Sequence, residues 1–102
     1  MGDSNELESN IEKYFVSQVR TAGGWPLKLV SPGTAGMPDR LVLWPGGIVS
    51  FVELKRPGKK PRALQVARIK RLREYGQSAV WLSTKKDVDI YVMIYREEEN
   101  EE

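Results

Sequence analysis

The feature that most constrains the fold is an apolar stretch from residue 36 to residue 55, GMPDRLVLWPGGIVSFVELK, which has turn residues in its middle. Residues 45–47 are a proline and two glycines, which favour a reversal of the chain between two strands. The stretch therefore predicts a β-hairpin. Apolar side chains occupy both faces of its two arms, which predicts a sheet that is covered on both sides.

Two acidic residues stand in this hairpin at positions where strands rarely hold them. Pairing Trp44 with Ile48 across the loop places Asp39 directly opposite Glu53, with Cβ atoms about 5 Å apart. Opposed like charges destabilise a sheet unless a positive charge lies between them. Lys55 follows Glu53 by two residues, so it projects from the same face. The end of the hairpin is therefore predicted to be either a metal site or a cluster of ion pairs.

The residue types that are missing from the chain restrict its chemistry. The 102 residues include no cysteine and no histidine, which excludes disulfides, zinc–thiolate sites and any reaction that needs an imidazole base. A metal must then be bound through oxygen, which makes Mg²⁺, Mn²⁺ or Ca²⁺ the candidates. The length fits one domain, the apolar runs are too short to span a membrane and no signal peptide is evident, so a cytoplasmic protein is expected.

Charge is distributed unevenly along the chain. Residues 1–12 and residues 96–102 each carry a net charge of −4, so residues 13–95 carry +10 although the whole chain carries +2. The stretch 55–73 contains nine basic residues and no acidic one. Such a run of charges can simply form a solvent-exposed surface. A basic central region between acidic termini nevertheless favours a polyanionic partner.

The segments around the hairpin predict two helices and two further strands. From apolar periodicity and turn residues, the helices span residues 4–22 and 61–75, and the strands span residues 25–30 and 78–83. Pro26 favours an edge position for the first of these strands, and Pro61 can stand in the first turn of the second helix. The strand at 78–83 is predicted to be buried.

The C-terminal part of the chain is ambiguous. Residues 87–95 alternate like a strand but also fit a helix that Asp87 caps, with Val88, Tyr91, Val92 and Tyr95 directed inward. The predicted order is αβββαβ plus this uncertain element. We expect one domain over residues 1–95 and a disordered acidic tail over residues 96–102.

This order and these motifs resemble the PD-(D/E)xK nuclease superfamily, and most closely its small VRR-Nuc branch. The segments that carry the resemblance are GMPDRLVLWPGG, FVELKRPGKKPRALQ and NIEKYF, and the resemblance extends over residues 5–86. It implies an α/β fold with a restriction-endonuclease-like αβββαβ core, in which a mixed sheet has helices on both faces.

The resemblance also implies roles for the residues at the end of the hairpin. Asp39 and Glu53 match the carboxylates that bind the metal, Mg²⁺ or Mn²⁺, with help from the backbone carbonyl of Leu54. Lys55 matches the residue that positions the attacking water or stabilises the charge that develops on the phosphorus centre. The alternative from spacing alone remains a structural ion-pair cluster.

Two further catalytic residues are implied outside the hairpin. Glu12 matches the family's first-helix glutamate, which completes the metal site directly or through water, and Gln65 matches its glutamine near the metal. The sequence alone also allows Glu12 to close a capping box with Ser9. Likewise, Gln65 could be an ordinary polar residue on the partly buried stripe that includes Ile69.

The activity that the resemblance implies is metal-dependent, structure-selective hydrolysis of DNA phosphodiester bonds, for example in four-way junctions. A homodimer is expected by analogy, because one small domain has one site whereas resolving a junction takes two cuts. Five basic residues are predicted to contact DNA phosphates: Lys59, Lys60, Arg62, Arg68 and Arg71. The alternatives are a DNA-binding module that retains the fold without cleaving, and a small subunit that acts through protein contacts.

Overall fold

The structure, a computed structural model, describes the backbone of residues 4–100 and the side chains of residues 10–96. These residues form helices and a mixed sheet. The helices are α1 (Ser4–Thr21), α2 (Ala63–Glu74) and α3 (Lys85–Asn100), and the strands are β1 (Trp25–Lys28), β2 (Arg40–Trp44), β3 (Ile48–Leu54) and β4 (Ser78–Leu82). The predicted αβββαβ order is confirmed, and the uncertain last element is a helix.

The sheet has the order β1-β2-β3-β4, with antiparallel pairs up to β3 and a parallel pair between β3 and β4. Trp44 pairs with Ile48, which confirms the predicted register of the hairpin. Gly46 and Gly47 close its loop with φ angles of 87° and 82°, a conformation that a residue with a Cβ atom rarely adopts. Pro26 lies in the edge strand β1, as expected.

Helices lie on both faces of the sheet, as predicted. One face packs against α1 and α3, and the residues that are fully buried there are Phe15, Val19, Val42, Val52 and Val88. The opposite face is covered by α2, which packs against β4. This cover is incomplete and leaves four apolar side chains of the hairpin half-buried: Leu41, Leu43, Val49 and Phe51.

Two details of the second half of the chain differ from the prediction. Arg62 is the N-cap of α2, so Pro61 lies just before the helix and not in its first turn. Strand β4 forms an edge of the sheet; the predicted burial is confirmed for Ala79 and Leu82 but was wrong for Trp81, which is 37% exposed. Gly76 follows the end of α2 with a φ angle of 80°, as expected for a residue just after a helix.

The start of α3 explains why residues 87–95 are helical. The Thr84 hydroxyl accepts a hydrogen bond from the Asp87 amide (3.0 Å), and the Asp87 carboxylate accepts one from the Thr84 amide (3.2 Å). Thr84 therefore caps the helix and Asp87 completes a capping box, which corrects the assignment of Asp87 as the cap. Hydrogen bonds from the amides of Ser83 and Thr84 lower the pKa of Asp87, although burial acts in the opposite direction.

Helix α3 runs to Asn100, so it includes residues 96–100 of the tail for which disorder was expected. Residues 101 and 102 lie outside the described part of the chain. Val88 and Tyr91 face the core as the helical interpretation requires. Within the described residues, we find no helix with a stretch that is both long and apolar enough to cross a bilayer.

Candidate active site

The centre of the candidate site is Glu53, which lies near the end of β3 and is only 5% exposed. Its Oε2 atom accepts a hydrogen bond from Gln65 Nε2 (2.9 Å) and lies 3.5 Å from Lys55 Nζ. Both contacts are made by the same carboxylate oxygen, so neither occupies Oε1. The alternation of β3 directs Glu53 and Lys55 to the face that α2 covers, because residues two apart share a face.

Asp39 lies immediately before β2, and the hairpin register continues to a position opposite Glu53. Desolvation and the charge of Asp39 raise the pKa of Glu53, although Lys55 and the Asp39 amide act in the opposite direction. Asp39 is solvent-exposed. Desolvation by the surrounding protein and the charge of Glu12 nevertheless raise the pKa of Asp39 as well. The two carboxylates therefore form a site where negative charge is not fully compensated.

Gln65 connects this carboxylate site to the basic loop. Its side chain is buried, with 7% exposure, and its Oε1 atom accepts a hydrogen bond from the Arg62 amide (2.8 Å). Since its Nε2 atom donates to Glu53, one side chain holds the start of α2 against the end of β3. Gln65 is therefore not an ordinary polar residue of the helix surface.

Glu12 lies on α1 and is ion-paired. Its Oε2 atom is 2.7 Å from Arg40 Nη2 and 3.4 Å from Lys28 Nζ. Desolvation raises the pKa of Glu12, but the hydrogen bond from Arg40 and the charges of both cations lower it overall. The capping-box alternative with Ser9 was wrong, because α1 begins at Ser4 and Ser9 lies inside the helix.

The structure therefore places Glu12 beside the carboxylate site but not within a group of three acids. Among the residues that the structure describes, no three acidic side chains are close enough together to hold a metal ion jointly. Glu12 is near enough for its charge to raise the pKa of Asp39. Glu12 is therefore a neighbour of the residues that are predicted to bind the metal. Its own closest contacts are with the basic side chains of Arg40 and Lys28.

Arg40 is a site residue that sequence reasoning missed. It is 8% exposed and connects Glu12 to the Pro26 carbonyl, which its Nη1 atom approaches to 3.5 Å. A signal was available, because the alternation of β2 directs Arg40 to the same face as Val42 and Trp44, which are core residues. A charged residue at a core position requires a buried partner of opposite charge.

The predicted DNA-contacting residues divide into two groups. Lys59, Lys60 and Arg62 line a hollow of about 250 Å³ beside Lys55 and Arg56. This cluster of five cations is hereafter the basic hollow. Because one of its members, Lys55, lies 3.5 Å from Glu53, the basic hollow brings positive charge close to the carboxylates, which suits an anionic ligand.

The other two predicted residues make contacts within the protein. Arg68 Nε donates a hydrogen bond to the Ala35 carbonyl (2.8 Å), which holds the loop before Asp39 against α2. The Arg71 guanidinium lies over the ring of Tyr75, 5.7 Å from its centroid. Both contacts are on the α2 side of the molecule, and they give these arginines structural roles whether or not they also contact phosphates.

Comparison with known proteins gives the same family as the motifs. No family model matches the chain. A protein of Acyrthosiphon pisum secondary endosymbiont phage 1, described as "Putative nuclease p44", is 46% identical over 78 residues, which cover 76% of this chain and 84% of that protein. A solved structure described as a VRR_NUC domain superposes with a TM-score of 0.80 at 32% identity, over 87% of this chain and 97% of that one.

The chain belongs to the VRR-Nuc nuclease family. Its restriction-endonuclease-like fold, predicted from the element order, is confirmed. Membership fits the geometry above, since the buried Glu53, the exposed Asp39 and Lys55 meet at one end of the sheet.

The contacts of Glu12 in this VRR-Nuc protein lead to a prediction about stability. Glu12→Gln should lower the free energy of unfolding by about 1–3 kcal/mol, because it leaves the buried Arg40 guanidinium without a charged partner. Chemical denaturation monitored by circular dichroism measures this change. Ser17→Ala, on an adjacent turn of α1, is the control and should change stability by less than about 0.5 kcal/mol. An unfolding midpoint of Glu12→Gln equal to that of the wild type would contradict the structural role.

Proposed function

We propose that this protein is a metal-dependent, structure-selective DNA endonuclease that hydrolyses phosphodiester bonds. The observation that carries the proposal is the buried Glu53, which is held by Gln65 and Lys55 beside Asp39 at the end of the hairpin. Both carboxylates have raised pKa values, as expected where two acids share a site that attracts a cation. A purely structural salt bridge would not require the second, exposed acid.

The residues present fit a hard divalent cation such as Mg²⁺ or Mn²⁺. The donors would be the Asp39 carboxylate, the Glu53 carboxylate and the Leu54 carbonyl, which are all oxygen ligands. When bound, such a cation would neutralise phosphate charge and lower the pKa of water. The uncompensated charge of the two acids supports this fit, because a cation would remove their mutual repulsion.

The side chains of this protein would perform the remaining tasks. Lys55 lies 3.5 Å from Glu53, so its ammonium would orient the attacking water and stabilise the additional negative charge on the phosphorane-like transition state. Gln65 would keep the Glu53 carboxylate in one orientation through its hydrogen bond. Because the chain has no histidine, proton transfer would depend on Lys55 or a substrate phosphate.

DNA would approach along the basic hollow, which includes Lys55. Cations on a loop bind phosphates without reading bases, so recognition would depend on DNA shape more than on sequence. This agrees with the small size of the domain, which offers little surface for contacts with base edges. We therefore propose branched DNA, such as a four-way junction, as the substrate.

A homodimer is the second part of this proposal. Trp25 is 60% exposed, and the strand register places it opposite Leu43, beside the Leu27–Leu41 pair, on the face that α2 leaves open. A continuous apolar surface of this kind is typical of a protein–protein contact. Burial of this surface against a second copy would bring two active sites together for two cuts. Repulsion between like charges makes the basic stretch, residues 55–73, a less suitable contact between two copies.

Cleavage of a panel of DNA molecules tests this function. With Mg²⁺ or Mn²⁺, we expect two symmetric cuts in a four-way junction and slower cleavage of flap, duplex and single-stranded DNA, with no cleavage in EDTA. Strand-specific end labels report the positions of the cuts. Tight binding without cleavage at any metal concentration would favour the non-catalytic alternative, and cuts in one strand only would contradict the homodimer.

A further inference from the structure

A second basic surface lies on the opposite face of the sheet from the basic hollow. A cleft of about 630 Å³ separates α1 from β1 and β2, and we refer to it as the α1 cleft. Four basic side chains line it together with two hydroxyl groups. The basic residues are Lys13, Arg20, Lys28 and Arg40, and the hydroxyls belong to Ser17 and Thr21.

The α1 cleft begins beside the carboxylate site. Arg40, in its wall, directly follows Asp39 in sequence, and Glu12 at the same end of the cleft is close enough for its charge to affect Asp39. The basic hollow reaches Glu53 from the side of α2, because its member Lys55 lies 3.5 Å from that carboxylate. The two carboxylates therefore lie between two positively charged surfaces, one on each face of the sheet.

Two of the four cations are available for an anionic ligand. Glu12 already engages Lys28 and Arg40, whereas Lys13 and Arg20 are exposed and form no ion pair with any side chain that the structure describes. They occupy one helix face, seven residues apart, which separates them by about 10 Å along the axis. This distance is several times the rise of about 3.4 Å per nucleotide along the axis of B-form DNA, so the two cations can contact two different phosphates.

We propose that the α1 cleft binds the phosphate backbone of the DNA on the far side of the cleaved bond from the basic hollow. Lys13 and Arg20 would contact two different phosphates of this backbone, and the neighbouring hydroxyls of Ser17 and Thr21 would add neutral hydrogen bonds. The inference rests on the proposed nuclease function and extends it, because it assigns a DNA path across both faces of the sheet. A single contact surface at the basic hollow would leave one side of the scissile phosphate unsupported.

Salt-dependent binding of the protein to a four-way junction in EDTA tests this path. The slope of log K against log salt should become less steep by about two in the double variant Lys13→Ala with Arg20→Ala, since each lost phosphate contact removes about one unit. Alanine favours helix at both positions, so the variant should remain folded. The control is Lys70→Ala with Arg96→Ala, which removes the same charge from exposed positions outside the cleft and should leave the slope close to that of the wild type.

Each outcome has a distinct meaning. An unchanged slope in the cleft variant, with a slope reduced by Lys59→Ala, Lys60→Ala and Arg62→Ala, would overturn the α1 cleft and leave the nuclease proposal intact. An equal reduction in the Lys70/Arg96 control would also overturn the cleft, because the effect would then follow net charge alone. Absence of salt-dependent binding by the wild type would instead overturn the proposed function.

Discussion

Asp39→Asn is expected to reduce metal-dependent DNA cleavage roughly a thousandfold, equivalent to about 4 kcal/mol of transition-state stabilisation. The substitution keeps the shape of the side chain and removes the exposed charge of the proposed metal site. Lys55→Ala should have a similar effect, because the ammonium 3.5 Å from Glu53 would be absent when charge develops on the phosphate. Single-turnover cleavage of an end-labelled four-way junction measures both losses.

Matched controls separate chemistry from folding. Asp89→Asn makes the same chemical change at an exposed carboxylate on α3 that accepts a hydrogen bond from Tyr14, and Lys70→Ala removes an exposed lysine from α2. Both should cleave at a rate close to that of the wild type. Circular dichroism should give the Asp39 and Lys55 variants the same helix content as the wild type. Full cleavage by either purified variant would exclude the assigned roles.

The hairpin could be predicted in detail because its information is local. The loop residues 45–47 fix the turn, and alternation then fixes which side chains share a face. For this reason the pairing of Trp44 with Ile48 was predicted correctly, and with it the position of Asp39 opposite Glu53. Gln65 was found through the family resemblance, and the structure adds that it bonds both Glu53 and the Arg62 amide.

The features that were missed depend on contacts between distant parts of the chain. The pair of Glu12 with Arg40 joins residues 28 positions apart, and nothing local to α1 indicates it. The same limit applies to residues 87–95, whose apolar residues satisfy both the strand and the helix period. Packing of Val88 and Tyr91 against the α1 side of the sheet, together with the Thr84 cap, selects the helix. A pattern that fits two periods needs such tertiary information.

Mg²⁺ or Mn²⁺ is expected to raise the melting temperature of the protein, and the rise should increase with pH. Desolvation and neighbouring acids raise the pKa values of Asp39 and Glu53 above their ordinary values of 3.8 and 4.5. Without metal, the folded state therefore holds protons more tightly than the unfolded state. The stability that this difference contributes is fully present when the pH is below the ordinary pKa values of Asp39 and Glu53. It is lost as the pH rises through their raised pKa values in the folded state.

Metal binding reverses this dependence because the cation needs both carboxylates ionised. At tenfold saturation above pH 7, binding adds about 1.4 kcal/mol, which corresponds to roughly 5–10 °C for a domain of this size. The shift measured by differential scanning fluorimetry should be smaller at pH 5 than at pH 8, because protons then compete with the cation for both carboxylates. Asp39→Asn should abolish the metal-induced shift. In EDTA at pH 8 this variant should melt at a higher temperature than the wild type, because the charge that repels Glu53 has been removed. An equal metal-induced shift in Asp39→Asn would place the cation elsewhere, because the remaining donors near Glu53 carry only one acidic charge.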